Sequence, residues 1–230
     1  DSSGAGNDFV QVFSHWTRTD LGRIVLTGSA LMAADTDPFE LIRKVFAYSD
    51  NNEKRSLVLG LYWLLEDERL GGFLEDVQRV NALDIFTALA LDNPLPARYY
   101  ADAPFNQLVL KSLFQNLPID RIVGLQERRN AELVRMCDDY LHERRLAGRE
   151  IPASLWLALS CKDLSEETTL AWQSALMSAS DDQRYYAAKA LQYCRERGEK
   201  LPVALTEVLA EQSTRERHPA IKLLVQDMQS

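Results

Sequence analysis

The side chains whose types and spacing could do chemistry lie between Asp92 and Arg144. Lys111, Arg121 and Arg144 offer cations to an anionic group, Asn93, Asn106 and Gln107 offer amides, and Asp92 and Tyr140 add a carboxylate and a phenol. Several of them interrupt the apolar pattern of the helices that carry them. At about 100° per residue, Val109, Leu110, Leu113, Phe114 and Leu117 form the apolar stripe of a helix starting near Asp102, and Asn106 falls near its middle. A buried amide left unpaired costs about 1–3 kcal/mol, so Asn106 is expected to bond the backbone between Leu91 and Tyr99. Gln107 and Lys111 flank that stripe, where a lysine stem lies along apolar surface and its ammonium reaches outward. On the next long helix Leu133, Met136, Cys137, Tyr140 and Leu141 point inward, and Arg144 continues their line. A guanidinium keeps its charge, so burial demands a carboxylate or several carbonyl acceptors. The expected partner is Asp92, which heads the stiff loop Asp92-Asn93-Pro94-Leu95-Pro96.

Other chemistry is not indicated. Asp138 and His142 stand one helical turn apart, but they are expected to face outward with no third ligand at useful spacing, so no metal site is expected. Cys137, Cys161 and Cys194 are odd in number and far apart, matching neither a disulfide framework nor a paired-cysteine metal site. They suit a reducing, cytoplasmic compartment. There is no nucleophile elbow, no glycine-rich phosphate loop and no paired acid and base, so no catalytic residue is assigned and no cofactor is implied. Binding is favoured over catalysis. An enzyme built from this region would hold an anionic group through Lys111, Arg121 and Arg144. A purely structural protein-protein scaffold is the third reading.

Thirty-four acidic against 26 basic residues give a net charge of -8, and the arginines from Arg121 to Arg149 are interleaved with acids, which argues against a nucleic-acid surface. The longest apolar run, Leu57 to Leu65, is shorter than the roughly 20 residues that a bilayer-spanning helix needs.

The elements that must position these residues are helices throughout. Every apolar run has helical spacing and none alternates with period two, so the expected class is all-α: about a dozen helices in antiparallel hairpins. Residues 1–7 read as a frayed or appended start and residues 8–230 as one domain. Helices are expected from Asp8 to Trp16; from about Thr19, with Leu21, Ile24, Val25, Leu31 and Met32 inward and Gly22 and Gly28 admitting a neighbour; and from Pro38, where Asp37 and Glu40 spell a capping box. Lys54 to Glu66 is apolar nearly all round, as in a helix covered on several sides. Asn130 caps the long helix, which Gly148 ends, and Pro152, Ser165, Asp181, Pro202 and Pro219 open those that follow. Setting Lys54 over Arg184 places Leu57, Val58 and Leu61 over Ala187, Ala188 and Leu191. The two halves thus share a pattern like that of HEAT or armadillo repeats.

The segments ALDNPLPARYY, FNQLVLKSLF, PIDRIVGL, NAELVRM and DYLHERRLAGR, ordered and closely spaced, make the chain resemble the EboA family. It departs at Asp120, where the family is associated with a histidine, and at Arg145, where an aromatic is common. The resemblance implies a component of a bacterial gene cluster that includes a prenyltransferase-like membrane protein and several enzyme-like partners, linked to moving a metabolite precursor across the inner membrane. No catalytic residue is established for this component. It therefore implies a cytoplasmic binding or adaptor protein for a small molecule or for other proteins of that cluster.

Overall fold

The computed structural model describes residues 16–162 and 164–228. The start expected over residues 1–7, most of the helix from Asp8 and His15 lie outside the described residues. Among the described residues there are thirteen α-helices, two short 3-10 segments and no strand, so the chain is all-α. It divides into two compact units: the described residues through Ser112 with Arg121–Gly124, and Leu113–Asp120 with the described residues from Leu125 onward.

The first unit contains α1 (Arg18–Ala33), α2 (Pro38–Tyr48), α3 (Asn51–Leu64), α4 (Leu70–Arg79), α5 (Leu83–Ala90), α6 (Leu95–Tyr99) and most of α7 (Asp102–Phe114). Its centre is α3, whose Leu57, Val58 and Leu61 are buried against α1, α2 and α5. α1 and α3 meet closely at Gly60, where a Cβ would come within 2.5 Å of Ile24, and at Gly28, as expected, where one would come 3.3 Å from Leu64, while nothing approaches Gly22. The inward face of α1 differs from the expected one. Leu21, Val25 and Met32 are exposed, because Asp20 turns toward α3 to meet Arg55 and Ser56. Capping boxes form at Thr17–Asp20 and Asp50–Glu53, the latter starting α3 three residues earlier than expected. At α2 the Asp37 carboxylate does accept from the Phe39 amide, but Glu40 turns to Arg43 rather than closing the box.

The second unit contains α8 (Leu125–Arg128), α9 (Ala131–Leu146), α10 (Glu166–Leu176), α11 (Asp181–Glu196), α12 (Val203–Arg215) and α13 (Pro219–Asp227). The segment expected as a helix after Pro152 is a 3-10 helix, Ala153–Ala158, all of it buried apart from its first residue. It packs on α11, with Trp156 and Trp172 5.5 Å apart and each indole N–H donating to an acceptor on α11. In α11 the buried residues include Ala187, Ala188 and Leu191, the positions aligned with Leu57, Val58 and Leu61. Helices in both units also pack on their next-but-one neighbours, α1 on α3, α3 on α5, α10 on α12 and α11 on α13, as stacked hairpins do.

Candidate functional site

In the first unit the chain leaves α5 through Leu91 and reverses at Asp92, a non-glycine residue in the left-handed region with φ 54°. Asparagine and aspartate tolerate that region better than other side chains do. The Asp92 amide donates to the Arg121 carbonyl at 2.8 Å, and its carboxylate accepts from Arg121 Nε at 3.1 Å and from the terminal nitrogen. Asn93 is buried and fixes the loop: its Nδ2 donates to the carbonyls of Ala88 at 2.9 Å and Val58 at 3.3 Å, and its Oδ1 accepts from the Leu95 amide at 3.0 Å. That last bond starts α6, the short helix formed where only a stiff loop was expected.

Asp92, Asn93 and Arg121 line a pocket of about 280 Å³. Trp16, Leu59, Trp63, Leu83 and Leu91 supply its apolar surface, and Arg55 and Asp84 add polar groups. The two indoles meet edge to face at 5.2 Å. Arg55 is steered by Asp20, which is only 1% exposed and accepts from Arg55 at 2.8 Å, Ser56 Oγ at 2.7 Å, and the Thr17 amide and hydroxyl at 2.8 and 2.7 Å. Burial alone would raise the Asp20 pKa; the bonds from Ser56, Thr17 and Arg55 more than offset it and hold the carboxyl well below the usual range. The outcome is a pocket with an aromatic wall and two arginines held in place by acids.

The other expected site residues fall elsewhere. Arg144 is not buried against Asp92. It donates through Nε to the Glu150 carbonyl at 2.7 Å, lies 5.7 Å from the centre of the Tyr140 ring, and borders a groove of the second unit beside Arg149 and Gln183. The inward line of α9 stops at Leu141, and Arg144 sits in the last turn, where unpaired carbonyls attract a cation. Lys111 donates to the Gln78 carbonyl at 2.5 Å and stacks over Phe86 at 4.4 Å, with burial lowering its pKa. Of Lys111 and Arg121 in the first unit, Arg121 lines the pocket and Lys111 does not, and Arg144 belongs to the second unit. Asn106 is 2% exposed, as its position predicts, whereas Gln107 is exposed. Tyr140 is buried against Phe114, whose own ring is largely exposed because α7 is turned from the expected orientation toward Phe105, Leu108 and Ser112. Asp138 and His142 are half-buried rather than outward, and both bond the Thr168 hydroxyl at the start of α10.

Two features escaped the sequence reading. Asp20 looks like an ordinary surface cap; the signal for its burial is its place on the face of α1 shared with Ile24 and Gly28. The other is in the second unit, where Cys161 and Cys194 come together beside Glu199 although 32 residues separate them.

A helical protein with a preformed, small-molecule-sized pocket in its first unit, and with no described helix long and apolar enough to cross a membrane, is the class that fold and site define. The chain belongs to the EboA family: the family model described as metabolite traffic protein EboA matches residues 9–160, which include every residue lining that pocket. No curated protein and no solved structure matches the chain.

Proposed function

We propose that this chain is a cytoplasmic binding protein that holds a small metabolite in the first-unit pocket and presents it to other proteins encoded with it for processing and export. The observation carrying this reading is the pocket itself, where a Trp16–Trp63 wall faces a polar side made by Arg55, Asp84, Asp92 and Arg121. Apolar lining with a few fixed polar groups suits a ligand with an unsaturated or aromatic body and one polar end. A volume near 280 Å³ is at the small end of ligand pockets, which run from about 300 to 1,000 Å³, and favours a precursor-sized molecule. The family's description as metabolite traffic protein agrees with carriage rather than turnover. Three unpaired, buried cysteines agree with a reducing compartment.

The test is mass spectrometry of small molecules released from the full chain after purification from its native host, alongside Trp63→Ala. A discrete compound released by the parent chain and lost from the variant, at unchanged helical circular dichroism, is the expected result. Identical small-molecule profiles from both would overturn the reading.

A further inference from the structure

In the second unit, Cys161 follows the buried 3-10 segment, Cys194 occupies the last turn of α11, and Glu199 lies just beyond. Gly198, with φ 69°, closes α11: the Gly198 amide donates to the Arg195 carbonyl at 2.8 Å and the Glu199 amide to the Cys194 carbonyl at 2.9 Å. This reversal folds the residue after the glycine back over the end of its own helix, and so brings the Glu199 carboxylate to the Cys194 thiol. One oxygen of Glu199 accepts from Ser160 Oγ and from the Cys161 amide, both at 2.8 Å, and the other pairs with Arg129. The Arg129 and Glu199 side chains are 5% and 4% exposed, so this is a buried pair. The Cys194 thiol stands beside both Cys161 and Glu199.

We propose that Cys161, Cys194 and Glu199 form a binding site for a thiophilic divalent cation of the zinc class. Their two sulfur atoms and a carboxylate oxygen all lie within 4.8 Å of one another. For three atoms so spaced, some point lies no more than about 2.8 Å from each, close to the roughly 2.3 Å zinc–sulfur and 2.0–2.2 Å zinc–oxygen bonds, so small side-chain adjustments suffice. Two thiolates select soft or borderline ions over magnesium and calcium. Charge points to a divalent ion. Before binding, Glu199 and Arg129 cancel and the thiols are neutral; on binding, each thiol releases its proton to solvent, and two thiolates then balance the dication. The buried cluster keeps its net charge, whereas two thiolates around a monovalent ion would leave it one unit negative. A carboxylate has about four acceptor positions, and Ser160, the Cys161 amide and Arg129 occupy three of them, which leaves one for the ion. The three side chains leave a fourth tetrahedral position for water.

The test is titration of the full chain, reduced and freed of metal by a chelator, with Cd2+, read by sulfur-to-metal charge-transfer absorption in the ultraviolet. A band saturating at one ion per chain, absent from Cys161→Ser and Cys194→Ser but kept by Cys137→Ala, is expected. Ser160→Ala, which removes a bond orienting Glu199, should weaken binding about ten- to a hundredfold, as outer-shell changes do. No band in the parent chain, where folding is not in question, overturns the proposal; so does a band that survives in both serine variants.

Discussion

The two units are built around the same idea and finish it differently. Each has a central helix, α3 or α11, with apolar residues in the same register, and each carries an arginine near the start of that helix bonded to a buried carboxylate: Arg55 to Asp20, and Arg184 to Glu216 at 2.8 Å. In the first unit the small residue is Gly60, the flanking helix sits close, and the acid-held arginine looks into an open pocket. In the second, alanines replace leucine and valine on the central helix, and the room they leave is filled by the Trp156–Trp172 pair. Its remaining polar cluster, Arg129 with Glu199, is closed in among thiols. One framework thus leaves an open pocket in one unit and packs a tryptophan pair against the central helix in the other.

The largest expected effect breaks the closed cluster. Arg129→Met strands the Glu199 carboxylate and should cost about 3–5 kcal/mol in denaturant unfolding, and adding Glu199→Gln should recover part of that loss. Simple additivity would mean that the two charges are not coupled. Next comes the open cluster. Asp20→Asn removes the charge that holds Arg55, and because Arg55 is partly exposed the loss should be about 2–3 kcal/mol. The sign of the pH dependence follows from the depressed Asp20 pKa. Its contribution is present above the unfolded carboxyl value near 4 and is lost as pH falls below it toward the folded value. Unfolding measured from pH 6 to pH 2 should therefore show a smaller acid loss in Asp20→Asn than in the parent; equal slopes would refute the role given to Asp20.

A smaller effect sharpens the account of the loop. Asn93→Leu leaves the Leu95 amide and the Ala88 carbonyl without their partner, and should cost about 1–3 kcal/mol by thermal or chemical unfolding. Smallest of all is Arg144→Met. With its guanidinium on a carbonyl at the helix end rather than in a buried ion pair, the change should stay below about 1 kcal/mol. A loss several times larger would restore the sequence expectation of a buried partner.

Helix identity and most caps were legible in the sequence because they depend on neighbours a few residues apart. Asn130, Ser165 and Pro219 each open the helix assigned to them. The site was legible in part. Asp92, Asn93 and Arg121 were recognised, and they line the pocket, since prolines and an asparagine mark a fixed loop. Their partners were not, because a helical stripe says which way a side chain points but not where the helix stops being covered. Arg144 lies past that limit. Asp92 was matched with an arginine on a helix, whereas Arg121, which it does meet, is in the 3-10 turn Ile119–Arg121, a connection that carries no periodic signal. The thiol pair was illegible for a related reason: sequence spacing reveals metal ligands only when a local loop holds them, and these are joined through the packing of α11 on the 3-10 segment.

Gly60 has a consequence for how quickly a guest can come and go. The Ile24 side chain is seated directly on the backbone of α3, and no α3 side chain stands between the two helices there. Trp63 and Arg55 on α3 and the Thr17–Asp20 cap of α1 thus flank one close helix contact. If that contact keeps the mouth of the pocket open without a ligand, the arrival rate of the proposed metabolite should rise linearly with its concentration and show no plateau from a gating step.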